Sequence, residues 1–148
     1  MMSSLRETML KLVKQDRKQE YLMLCKSDYA AVCEAARSFA DDGLWPELAG
    51  RAWDPFNALL DRAMVAKREG DSDEEMRALE AAIDAGTPVP YCYERLAIIW
   101  SKRRDYELAY ETCCKWFDSG HWKAPQAATT SLKLLERMEK LRENLRRD

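Results

Sequence analysis

The stretch DYELAYETCCKWFDSG, residues 105–120, opens on an aspartate and closes on a glycine. The same outline occurs twice more, as DYAAVCEAARSFADDG at 28–43 and DSDEEMRALEAAIDAG at 71–86. Laid over one another, the three copies put Cys33, Met76 and Tyr110 in one column. Ala36, Leu79 and Cys113 form a second column, and Ala40, Ile83 and Phe117 a third. Columns three and four residues apart trace one face of a helix. The leading aspartate is a natural N-cap, because its carboxylate accepts an amide that the first turn leaves unpaired. The trailing glycine reaches the left-handed conformation that ends a helix. Each copy therefore predicts a helix with one buried side, and the chain repeats it.

The second and third copies stand 34 residues apart, and the match continues upstream. NALLDRAMVAKREGD at 57–71 lies over YCYERLAIIWSKRRD at 91–105, where Tyr93, Leu96, Ala97 and Trp100 share a helical face. Each unit then reads as helix, short turn, helix. In this period and column pattern the chain resembles the tetratricopeptide repeat family. Leu96 and Ala97 match that family's large–small pair at the helix crossing, Trp100 its aromatic position and Ala109 its small residue in the second helix. In the preceding unit Arg62 and Glu75 stand where Leu and Ala are expected.

The resemblance implies an all-α, TPR-like α-solenoid of about three helical hairpins, roughly 5–43, 54–86 and 90–120, in a single domain. A capping helix over roughly 124–147 would close it, since such stacks end in an element covering the last apolar face. In the first unit the second helix matches but the first, VKQDRKQEYLMLCK at 13–26, lacks the column, and LWPELAGRAW at 44–53 is extra material.

Composition narrows the function. Among 148 residues, 24 Lys and Arg against 26 Asp and Glu leave a net charge of −2. That balance gives little drive toward direct nucleic acid binding, which favours a basic excess. No run approaches the roughly 20 apolar residues of a membrane span, and the first 20 residues lack a signal peptide's apolar stretch. A soluble cytoplasmic protein is the expectation. Five cysteines (Cys25, Cys33, Cys92, Cys113 and Cys114) form no CxxC pair, and His121 is the single histidine. Structural thiols are expected, with no metal and no cofactor. Glycine-rich phosphate loops, GxSxG and HExxH are missing, so a catalytic role is not expected.

The resemblance further implies a concave inner face lined by the first helices. Its positions fall on Asn57, Leu60, Met64, Lys67 and Arg68 in one unit, and on Tyr91, Glu94, Ile98, Ser101 and Lys102 in the next. This mixture suits a peptide or helix of a partner protein, as in an adaptor or assembly factor. Glu94 would repel a partner's C-terminal carboxylate. A fold-back of the C-terminal helix would fill the face instead. Lys102, Arg103 and Arg104 are cations placed favourably at a helix C-terminus. Partly exposed, Trp53 or Trp122 would serve as a contact anchor.

The sequence also supports two rival functions. Asp71, Asp73, Glu74 and Glu75 would let the chain occupy a basic surface of a nucleic-acid-processing complex, as a small inhibitor or accessory subunit. In the tail, Leu134, Met138, Leu141 and Leu145 follow the 4-3-4 spacing of a coiled-coil seam and would support a homodimer, while Leu132 and Leu135 widen the stripe toward packing on the domain.

Overall fold

A computed structural model describes residues 4–37 and 54–147, and every regular element among them is helical. The helices are α1 (Leu5–Lys14), α2 (Lys18–Ser27), α3 (Tyr29–Arg37), α4 (Asp54–Arg68), α5 (Ser72–Asp84), α6 (Pro90–Lys102), α7 (Tyr106–Asp118) and α8 (Ala128–Arg147). Two 3-10 turns, His121–Lys123 and Pro125–Ala127, lead into α8. Ala40, Gly43, Trp45, Trp53 and the extra stretch 44–53 lie outside the described residues.

From α4 onward each helix packs on the next, and α8 touches α6 as well as α7. The turns inside the two 34-residue units are built alike. Gly70 and Arg104 both take positive φ, +73° and +61°. The following amide then reaches back to the last helical turn, Asp71 N to the Ala66 carbonyl and Asp105 N to the Trp100 carbonyl, each at 2.9 Å. That is the Schellman closure, which satisfies carbonyls a helix end would otherwise leave unpaired. The same two aspartates cap the next helix, accepting from Glu74 N at 3.1 Å and Leu108 N at 3.2 Å. The repeat read from side chains is thus repeated in backbone hydrogen bonds.

In the two 34-residue units the second and third columns face inward, while Tyr110 of the first is half-buried. Met76, Leu79 and Ile83 of α5, and Cys113 and Phe117 of α7, are buried, as are Leu96, Ala97 and Ala109. Trp116 is sealed between α7 and α8, where its Nε1 donates to Ser131 Oγ at 2.8 Å. Burying the indole therefore leaves no polar atom unpaired.

The two unexpected residues of the first 34-residue unit have separate explanations. Arg62 points to solvent and pairs with Glu74. Glu75 is only 2% exposed, and its carboxylate accepts from Arg95 Nε at 2.6 Å and Nη2 at 3.1 Å. This two-pronged ion pair ties α5 to α6. Arg103 adds a second tie, donating to Ser72 Oγ at 2.9 Å and Asp73 Oδ1 at 2.8 Å.

The N-terminal segment differs from the expectation. Where one helix was anticipated over 13–26, the chain turns at Gln15–Arg17. Asp16 takes φ +56° and Arg17 N closes on the Leu12 carbonyl at 2.9 Å. Asp28 ends α2 and offers its carbonyl to Val32 N at 2.9 Å at the start of α3. The three short helices pack on one another, and α2 lies along α8. Tyr21 donates to the Lys123 carbonyl and sets its ring edge-on to Trp122, 5.4 Å between centroids. Trp122 is buried by Tyr21 and by Phe117, so it is not an exposed anchor. The N-terminal helices thus pack against the last helix of the chain.

Candidate functional site

Helix α6 carries Tyr91, Glu94, Ile98 and Ser101 along one stripe, as the 3-4-3 spacing dictates. All four are half-buried, whereas Lys102 is exposed at the helix end. On α4, Leu60 is half-buried, while Asn57, Lys67 and Arg68 are exposed and Met64 is 42% exposed. Met64 and its neighbour Val65 leave an apolar surface on this helix.

The structure divides these residues among separate places. Glu94 and Ser101 open into a groove of about 500 Å³ whose opposite wall is α8. Lys67 and Lys102 line a smaller notch of about 270 Å³ beside the Glu75–Arg95 pair. Helix α8 therefore folds back over part of the α6 stripe and walls it on one side.

The chemistry of the stripe is distinctive. Among the described residues, the buried side-chain polar atoms without a hydrogen-bond partner are Tyr91 Oη, Glu94 Oε2 and Ser101 Oγ. All three belong to the α6 stripe. An unmet buried polar atom costs about 1–3 kcal/mol, and interiors avoid it. Burial also pushes the Tyr91 phenol above its usual range, so it stays neutral and able to donate. Across the groove, α8 contributes Lys133, Arg137, Lys140 and Asn144. Lys140 pairs with Glu136 at 3.3 Å, but Lys133 and Arg137 have no ion-pair partner among the described residues.

This far wall was not among the sequence-derived candidates, although a signal exists. Lys133, Arg137, Lys140 and Asn144 repeat the 4-3-4 spacing of the leucine seam one residue earlier. A seam shifted by one position is a second face of the same helix.

Other candidates are placed as follows. Leu134 and Leu141 are buried within the chain's own core, Met138 is half-buried and Leu145 exposed. The acids at the α5 start are matched internally: Glu75 by Arg95, Asp73 by Arg103, Glu74 by Arg62 and Arg77, with Asp71 capping the helix. Beside Asp73, the Arg103 guanidinium holds the carboxyl below its ordinary range.

All five cysteines are free thiols. Burial pushes Cys25 and Cys92 up to about 11 and Cys113 up to about 12, which keeps them protonated near neutral pH. No group of His, Cys, Asp and Glu among the described residues could hold a metal ion. None of the described helices is long and apolar enough to cross a membrane. No family model, curated protein or solved structure matches this chain.

Proposed function

We propose that the chain is a non-catalytic protein-binding module whose helices from α4 to α8 form a short TPR-like stack. The α6 stripe, with the exposed apolar face of α4, receives an extended segment of a partner protein. The supporting observation is the row of unmatched polar atoms at Tyr91, Glu94 and Ser101. From Tyr91 to Ser101 the helix rises about 15 Å, which an extended peptide of about five residues spans at ~3.3 Å each. Its main chain would lie along the groove beside Glu94 and Ser101, and its side chains would contact Ile98 and Met64. Lys133 and Arg137 on the far wall of the groove favour an acidic residue in that segment.

Selecting from a displayed peptide library against the full chain, then comparing variants, tests this reading. Met64→Glu with Ile98→Glu is expected to abolish binding of the selected peptides while helicity by circular dichroism persists. Ser101→Ala and Glu94→Gln should each weaken it 3- to 10-fold. Full affinity in the double variant would remove this face from consideration.

A further inference from the structure

Among the described side chains two arginines are half-buried, Arg95 on α6 and Arg137 on α8, and the rest are exposed. The chain treats the two differently. The Arg95 guanidinium meets the Glu75 carboxylate through two hydrogen bonds, at 2.6 and 3.1 Å. Arg137 has given up part of its access to water, yet it has no hydrogen-bond or ion-pair partner among the described residues. Arg68, Arg104 and Arg146 are unpaired as well, but they stand at the surface, where water solvates them. A cation drawn partly out of water carries a free-energy cost that an opposite charge offsets. Arg137 is thus a guanidinium whose need the chain itself leaves unmet.

Its place in the groove of about 500 Å³ between α6 and α8 determines what can reach it. Lys133, one turn earlier on α8, is exposed and unpaired, and it adds positive charge to the same wall. Lys140, the next residue of that face, is already taken by Glu136. On the α6 wall stands Glu94, half-buried, with its Oε2 unpartnered. Glu94 and Arg137 belong to the same end of the groove. Burial dominates the Cys113 thiol of α7, but both groups also act on it, the guanidinium lowering its pKa and the carboxylate raising it. No ion pair joins Glu94 to Arg137, so neither neutralises the other at contact distance.

An anion entering here gains from Arg137 and Lys133 and is limited by Glu94. One added negative charge leaves this end balanced, with two cations against Glu94 and the newcomer. A phosphate ester brings about two charges and would overfill it, the excess being repelled by Glu94. A carboxylate also matches the planar guanidinium through two parallel N–H···O bonds, a geometry that lysine does not offer. We infer that Arg137 is the specificity-determining residue of the α6–α8 groove and selects a partner segment that places an Asp or Glu side chain against it. This inference rests on the peptide-binding role proposed for the groove. It adds the chemistry of one recognised side chain and the residue that reads it.

The test selects peptides from a displayed random library against the full chain. The tightest is then made with an amidated C-terminus, so that only side chains supply carboxylates. Fluorescence anisotropy compares this acidic peptide with its Asn or Gln counterpart and with a version carrying phosphoserine at the same position. The acidic peptide is expected to bind about tenfold more tightly than the amide counterpart, and at least as tightly as the phosphoserine version. Arg137→Gln should bind the acidic and amide peptides alike, with helicity by circular dichroism unchanged. Arg137→Lys should keep only part of the preference, and Lys133→Gln, at an exposed position, should keep most of it. Selected peptides without an acidic residue, or equal binding of the two peptides by the wild type, would overturn the inference. So would a preference that survives Arg137→Gln, one lost in Lys133→Gln alone, or tighter binding of phosphoserine. Those results leave the groove standing as a peptide site. The groove itself fails if Met64→Glu with Ile98→Glu binds every peptide at full affinity, and a library that yields no binder removes both.

Discussion

Two hairpins of this protein share one 34-residue frame yet occupy different surroundings, and the residues in matching positions record the difference. The pair α6–α7 is enclosed, with α5 on one side and α8 on the other. Its crossing uses Leu96 and Ala97, its second helix presents the small Ala109, and all three are buried. The pair α4–α5 shows Arg62 in place of Leu96 and Glu75 in place of Ala109. Arg62 lies at the surface, where a leucine would gain nothing from burial. Glu75 sits against α6 and needs Arg95 to neutralise it. One frame therefore accommodates two chemistries according to what each unit packs against.

The sharpest way to break this comparison is at that ion pair. Arg95→Met leaves the Glu75 carboxylate buried without a partner and is expected to destabilise the fold by about 3–5 kcal/mol. For a domain of this size that is a fall in melting temperature on the order of 10 °C. Replacing both residues, Glu75→Leu with Arg95→Met, should recover most of the loss, since apolar packing substitutes for a buried pair. A double variant as unstable as Arg95→Met alone would show that the pair does more than neutralise itself.

The caps test how alike the units are. Asp71→Ala and Asp105→Ala each remove one side-chain bond to the first turn, and each is expected to cost about 1 kcal/mol in urea unfolding. Near-equal values would support the view that the turn is a repeated device. A far larger value for Asp105 would tie it to the enclosed core instead.

A smaller contrast lies one residue earlier. Gly70 takes φ +73° without penalty, whereas Arg104 adopts φ +61° with a side chain attached. An L-residue there costs about 1–2 kcal/mol, partly offset because glycine is more flexible when unfolded. Arg104→Gly should therefore stabilise the protein by about 0.5 kcal/mol, and Gly70→Arg should destabilise it by about 1 kcal/mol. Opposite signs at positions 34 residues apart would be hard to obtain without a common turn.

How much of this was legible beforehand depends on whether the signal was local. The Asp-to-Gly outline exposed α5 and α7 because caps and face periodicity act within a few residues. Arg62 and Glu75 read as departures from the pattern, since Arg95, which gives Glu75 its role, is 20 positions away. The tail's two faces were both in the sequence, but a leucine seam reads the same whether it meets a second copy or the chain's own core. What the structure adds is that Leu134 and Leu141 are buried in the chain's own core. The packing of α2 on α8 was not legible at all. It exists because the N-terminal helices return to the end of the chain, across more than a hundred residues. The break at Asp16 was hidden for a related reason, as an aspartate at positive φ leaves no outline like glycine's.

The finest contrast falls just after the terminating glycines. Gly86 is followed by Thr87, which is fully buried and accepts from Val89 N at 3.2 Å through its hydroxyl. Gly120 is followed by His121, half-buried beside Trp116, with a hydrogen bond to the Gly86 backbone. Burial holds the imidazole below its ordinary pKa of 6.5, and the bond to Gly86 only partly opposes this. The unfolded chain consequently takes up a proton before the folded one as pH falls. Stability is complete above pH 6.5 and declines between that value and the lower folded pKa. Because the ring remains partly exposed to water, the decline is expected to be a few tenths of a kcal/mol. Comparing urea midpoints at pH 7.5 and 5.5 should show a drop in the wild type that His121→Gln largely removes. A glutamine variant with the same drop would assign the effect to other groups and leave Thr87 and His121 equivalent in their response to acid.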